Sequence, residues 1–201
     1  MLMPRATLAQ DRKRIELPRP PASVGQDLMH ALRARHSTRE FSPRPLPLDL
    51  ISTLLWAAFG INRPASGGRT APSAHGWQEI DVYAALAEGL YRFDARAHAL
   101  EFAVPHDLRA LTGVQDFVAH APLNLVYAAD FARMEGASQK EREFFAAADA
   151  ACIAQNVYLY CASAGLATVV RGLIDRKKLA AAMGLREPQR IALAQTVGFP
   201  A

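Results

Sequence analysis

The stretch from Phe144 to Leu166 is nearly continuous in apolar and small residues, with Asp149, Gln155 and Asn156 as its interruptions. Its length reads as a helix, and the polar interruptions argue against a membrane span. A helix apolar around most of its circumference must be covered on most sides, in a large core or between subunits. A chain of 201 residues makes one ordinary domain. In a domain of that size the subunit interface is the better account, so this segment predicts a homodimer.

The rest of the chain supplies mixed elements. Residues 1–24 are polar and then proline-rich, and read as an extended arm that lies on the surface or wraps a partner. Residues 25–201 read as the domain. A short amphipathic helix is expected over Gln26–Arg35. A second follows Pro47, with Leu50, Ile51, Leu54, Leu55, Ala58 and Phe59 on one face and Gly60 closing it. Positions 62–79 form a loop rich in glycine and proline, long enough to suggest a functional role. Strands are expected over Glu79–Leu86, Gly89–Asp94, Ala99–Val104 and Leu123–Ala129. After Gly165 come a short turn, a helix near Asp175–Met183 and a last strand, Ile191–Val197. The strands come mainly as hairpin neighbours, which points to an α+β fold rather than a doubly wound sheet.

Composition narrows the function classes. Hydrophobic residues make up 51% and charged residues 21%, a globular balance, and the net charge of +4 suits an anionic cofactor or substrate. The basic residues gather in the first 45 positions without forming a groove reader, and no zinc finger, RNP motif or basic zipper is present, so no nucleic acid partner is expected. Cys152 and Cys161 stand nine apart on the long helix, about 13 Å along its axis, beyond disulfide reach. The four histidines His30, His98, His106 and His120 have no metal-ligand spacing, and no metal is expected. The N-terminus lacks an apolar signal core, which favours a cytoplasmic location. Leu8-Ala9-Gln10 matches the tail of a trimmed signal peptide and keeps a periplasmic one open.

No GxGxxG follows a strand and no P-loop lysine occurs, so a nucleotide here must be held another way. Arg35-His36-Ser37-Thr38-Arg39-Glu40-Phe41 offers one: two guanidinium forks and a hydroxyl suited to a phosphate. The alternative is a capping box, Ser37 with Glu40, although Pro43 and Pro45 sit where that helix would continue. Pro72-Ser73-Ala74-His75-Gly76-Trp77-Gln78 reads as a glycine- and proline-containing loop whose small residues permit close approach. Gly165 reads as a helix C-cap. Asp149 stands either as a contact to a partner or bound group, or as a buried carboxylate with a capping role.

These segments together resemble the nitroreductase superfamily. Arg35, His36, Ser37 and Arg39 are similar to its arginine-serine signature, whose side chains grip the FMN phosphate and ribityl chain. Pro72, Ser73, Ala74, His75 and Gln78 are similar to its Pro-Ser-x-x-Asn-x-Gln loop, which serves the other subunit's flavin. Gly76 occupies the asparagine position, so that amide contact is lost or passed to His75 or Gln78. The segment from Gly165 through Val169, Val170, Arg171 and Gly172 resembles the turn that sets backbone amides against the flavin's redox edge. Arg171 then lies beside the flavin or points to solvent. Leu54–Arg63 and Gly89–Asp94 add similarity to the SagB-type dehydrogenase branch. The resemblance implies a nitroreductase-like fold, with a mainly antiparallel sheet flanked by helices, in an intertwined homodimer. It implies bound FMN passing electrons from NAD(P)H to a small conjugated acceptor such as a nitroaromatic or quinone, with no acid-base residue assigned. The alternatives are a SagB-like dehydrogenase or oxidase of one substrate, and a non-catalytic FMN-binding protein. Only Ala201 follows Val197-Gly198-Phe199-Pro200, where many members carry a further basic residue, so the phosphate grip is expected to lean on Arg35 and Arg39.

Overall fold

The computed structural model describes residues 14–201. The first part of the N-terminal arm, with Leu8–Gln10 and Asp11-Arg12-Lys13 after it, lies outside them. The elements in chain order are β1 (Arg14–Glu16), α1 (Leu28–Ala34), α2 (Leu48–Phe59), β2 (Ile61–Arg63), β3 (Gly68–Arg69), β4 (Ile80–Leu86) and β5 (Gly89–Asp94). They continue with β6 (Ala99–Val104), β7 (Leu123–Asp130), α3 (Gln139–Ala164), β8 (Ala167–Arg171), α4 (Arg176–Met183) and β9 (Gln189–Gly198). Seven strands form one sheet in the order β1-β6-β5-β4-β7-β9-β8, and every neighbouring pair is antiparallel.

Period-two alternation divides the core between the sheet's two faces. Val82, Ala84, Leu123, Leu125 and Tyr127 meet α2 and α3 on one face. Tyr83, Ala85, Val126 and Ala128 meet Leu179 and Met183 of α4 on the other. Leu54 and Leu55 of α2 are fully buried, and each such side chain stabilises the fold by roughly 1.5–3 kcal/mol. The register slips between Tyr127 and Ala128, where β9 carries Ala192 as an extra residue.

Local signals explain most boundaries. Pro47 precedes α2, and Gly60 caps its end. The Ser138 side chain accepts from the Glu141 N–H while Glu141 returns to the Ser138 N–H, a capping box that starts α3. Gly165 ends α3 at φ 69°, where an L side chain is strained. Cys152 and Cys161 are free thiols on α3, as their spacing predicts.

The structure departs from the sequence reading in three places. The segment after Gly165 is not a short turn but the edge strand β8, whose β-branched Thr168-Val169-Val170 favour extended backbone. The loop over 62–79 contains the small β2–β3 hairpin and a 3-10 turn at Ala74–Gly76. No helix begins at Ser37, so the capping-box alternative there falls.

Along α3, Phe144, Ala147, Ala148, Ala151 and Gln155 share one exposed stripe, with Phe144 68% exposed. Leu28 and Met29 of α1 are also exposed, Leu28 by 62%. Among the described residues no helix is long and apolar enough to cross a membrane, and no cluster of metal-ligating side chains forms.

Candidate functional site

The arginine segment lies along the outer edge of β8. Arg35 caps α1, its N–H donating to the Ala31 carbonyl at 2.9 Å. The chain then runs extended: the Thr38 N–H donates to Thr168 O at 3.0 Å, Phe41 bridges Pro200, and the Ser42 N–H donates to Phe199 O. One side chain ties this segment to the end of β8. The Tyr158 hydroxyl, from α3, accepts the Val170 N–H at 2.9 Å and shares a hydrogen bond with Ser37 Oγ at 2.8 Å. The Arg35 guanidinium carbon sits 5.3 Å from the centre of the Tyr158 ring. His36 Nδ1 lies 2.7 Å from Ala34 O, which leaves Nε2 facing outward. Arg35 is half-buried and Arg39 exposed, and no carboxylate among the described residues pairs with either. Two unpaired guanidiniums and a positioned hydroxyl are donors of the kind an anion takes.

The end of β8 is half-buried at Val170 and exposed at Gly172, while Val169 faces into the protein. The Arg171 side chain does not reach solvent, which removes that sequence-based alternative. It is 5% exposed and turns inward. Its Nε donates to Thr196 Oγ1 at 3.1 Å, Nη1 to Thr112 O at 2.5 Å, and Nη2 to Asn124 Oδ1 at 2.9 Å. Burial alone pulls the Arg171 pKa down to about 10.

The Pro72–Gln78 loop is built differently. The Asp149 carboxylate on α3 accepts the Ala74 N–H at 2.8 Å. Ser73 Oγ accepts the Gln78 N–H at 2.8 Å and donates to Glu79 Oε2 at 3.3 Å. Glu79 is fully buried, and burial first, then the charge of Asp149, raises its pKa. Its Oε1 has no hydrogen-bond partner among the described residues. The Gln78 amide is spent within the loop, accepting from Arg69 Nε at 2.9 Å and donating to Gly67 O at 3.2 Å. It has no free end to replace the missing asparagine. His75 remains exposed, its ring 4.4 Å from that of Trp77. His75, Gly76 and Gln78 all have positive φ, at 53°, 69° and 47°, so the turn is held in a conformation that its own hydrogen bonds must fix.

Asp149 and Tyr158 are nine residues apart on α3, about 13 Å along the axis and half a turn around it. One chain therefore brings Arg35, His36, Ser37 and Arg39 together with Val169–Gly172. It holds Pro72, Ser73, Ala74, His75 and Gln78 on the other side of α3. For Asp149 the buried capping role is the one observed. Tyr158 and Glu79 escaped the sequence reading: a tyrosine in an apolar helix looks like core, and a glutamate before a strand looks like a boundary. A cleft of about 550 Å³ opens where β8 stops pairing with β9, walled by Ala146, Ala147, Ile191 and Ala192. At its rim Arg176 donates from Nε to Ile191 O and from Nη2 to Ala192 O, each at 2.9 Å.

Known proteins share this fold. Residues 32–199 match the model of the nitroreductase family. A crystal structure of a candidate nitroreductase from Ralstonia eutropha JMP134 is similar over 100% of this chain and 96% of its own, with 51% identity and a TM-score of 0.91. A candidate nitroreductase of Methanocaldococcus jannaschii is 29% identical over 80% of this chain and 85% of its own. The NADPH:FMN oxidoreductase of Vibrio harveyi, solved with NAD+, shares the fold at 20% identity and a TM-score of 0.64, over 87% of this chain and 69% of its own.

Proposed function

The chain belongs to the nitroreductase family of oxidoreductases, and on that premise we propose that it binds FMN and passes electrons from NAD(P)H to a small conjugated acceptor. The observation that carries this reading is the Tyr158 hydroxyl, which fixes the unpaired arginine segment against the end of β8. The residues present fit the cofactor. Arg35, His36, Ser37 and Arg39 would take its phosphate and ribityl chain, with Arg35 and Arg39 supplying the charge. Val169, Val170 and Gly172 would offer backbone and small side chains to the ring edge. Bound FMN supplies the hydride and electron chemistry, and the chain supplies position and electrostatics. The similarity to a named NADPH:FMN oxidoreductase supports this choice of cofactor and donor.

The reading includes a homodimer. The exposed stripe from Phe144 to Gln155, with exposed Leu28 and Met29 on α1, is an apolar surface that a second copy would cover. Because α3 separates the Pro72–Gln78 loop from the arginine segment of the same chain, that loop serves the site of the second copy. A nitroaromatic or a quinone is the kind of acceptor this reading expects.

The test is to titrate the purified protein with FMN and then with NADH or NADPH under anaerobic conditions. Expected are flavin uptake, bleaching by a nicotinamide, and a dimer by light scattering. A protein that takes up no FMN overturns the proposal. Flavin that no nicotinamide reduces overturns the donor assignment, and favours a substrate-specific dehydrogenase or a flavin-binding protein without turnover.

A further inference from the structure

Several buried or half-buried charges in this protein are paired. Asp81 meets Arg92 and Arg133, Asp130 meets Arg186, and Arg109 meets Asp107. Arg171 is different. Its guanidinium has four acceptors, Thr112 O, Thr112 Oγ1, Asn124 Oδ1 and Thr196 Oγ1, and all are neutral. No carboxylate among the described residues faces it, and no opposite charge contributes to its protonation. The surroundings are shaped for it: a Cβ at Gly113 would come within 2.0 Å of Nη1, so that loop closes over the cation only with glycine there. Neutral acceptors hold a guanidinium in place without cancelling its charge, and burial leaves that charge weakly screened.

This charge belongs to the last residue of β8, the strand whose end carries Val170 and Gly172. We infer that the Arg171 guanidinium is a fixed, uncompensated positive charge behind the β8 edge, which biases a flavin bound there toward its reduced, more negative form. The inference rests on the FMN reading above. Reduction adds negative charge to the flavin ring, and a preoriented cation nearby lowers the cost of that charge without rearranging. Arg171 acts through space from behind the strand, as an electrostatic residue. A purely structural arginine would secure the loop around Thr112 and Gly113 and leave the flavin's redox balance unchanged.

Three variants separate these roles. Arg171→Gln removes the charge. Asn124→Asp keeps the arginine and its acceptor but places a carboxylate beside it, which cancels the charge in place. Thr112→Val removes one acceptor and leaves the charge. The readouts are the midpoint potential of bound FMN by spectroelectrochemistry and the melting temperature of each protein without flavin. Arg171→Gln and Asn124→Asp are each expected to shift the reduced-to-oxidised ratio at a fixed potential about tenfold toward oxidised, a fall of about 30 mV for two electrons. Thr112→Val is expected to lower the melting temperature and leave the potential in place. If Arg171→Gln does not fold, Asn124→Asp decides. A folded, flavin-loaded Asn124→Asp with the wild-type potential overturns the charge assignment alone. A wild-type protein that takes up no FMN overturns the flavin reading and this inference with it.

Discussion

The arginine segment and the Pro72–Gln78 loop are both polar, both irregular and both docked on α3, yet they spend their polar groups in opposite ways. In the first, backbone contacts and the Tyr158 hydroxyl do the holding, and the guanidiniums of Arg35 and Arg39 stay unpaired. In the second, Ser73, the Ala74 N–H and the whole Gln78 amide are consumed in fixing a turn with three positive-φ residues. One region is prepared to grip an anion with side chains. The other is prepared to present a shape.

The comparison breaks most directly at the arginines. Charge-assisted hydrogen bonds contribute about 1.5–3 kcal/mol each. Replacing Arg35 and Arg39 together with alanine is therefore expected to weaken FMN binding by about 100-fold or more, with the melting temperature of the flavin-free protein nearly unchanged. Isothermal titration and a thermal melt check both halves. A double variant that binds FMN as the wild type does would remove the anion site from the proposal.

Tyr158→Phe comes next, because it cuts the link between the segment and β8. Loss of the hydroxyl leaves the Val170 N–H without its partner and costs about 1–2 kcal/mol. FMN affinity is expected to fall about tenfold, together with a measurable loss of stability. That combination would set this variant apart from the arginine pair.

The loop responds to pH through Glu79. Its carboxyl is held above its ordinary value by burial and by Asp149, so the folded protein keeps a proton that the unfolded chain has released. The stabilisation from that proton is whole below the unfolded-state value and is lost as pH rises through the folded-state value. Glu79→Gln cannot release it. Chemical denaturation at about pH 4 and about pH 8 should show the variant gaining stability relative to the wild type as pH rises. A constant difference would mean that the Glu79 carboxyl titrates alike in the folded and unfolded chain.

The smallest effect is expected from Gly76→Asn. The position has φ 69° with nothing within 4 Å of a Cβ there, and asparagine tolerates left-handed backbone better than other L residues. Stability should change by less than about 0.5 kcal/mol. FMN affinity should rise a few-fold if the loop serves the flavin of a second copy, because the amide absent from this loop is then restored.

Most of the sheet was legible before the structure. Gly89–Asp94 and Ala99–Val104 are strands over the residues that their alternation marks, and Pro47 and Gly60 bracket α2 as proline and glycine should. The edge strand β8 was not, because five residues after a C-cap glycine look like a turn until β9 is there to pair with them. Within the site, the arginines and the proline-serine loop stood out by composition. Tyr158 and Glu79 did not, since their roles depend on partners 121 and 6 positions away. The inward turn of Arg171 was equally hidden, set by Thr112, Asn124 and Thr196 on other elements.

The two carbonyls that Arg176 occupies have a consequence for the molecule in solution. β8 pairs only with Ala194–Gly198, so the first half of β9 is left as a bare strand border, bulged at Ala192. A border of that kind is a template on which a foreign strand can add. The Arg176 fork fills it at Ile191 O and Ala192 O and puts a charge where an incoming backbone would have to lie. The side chain thus takes up two acceptors that an added strand would use, and sets a cation at the rim of the cleft beside it.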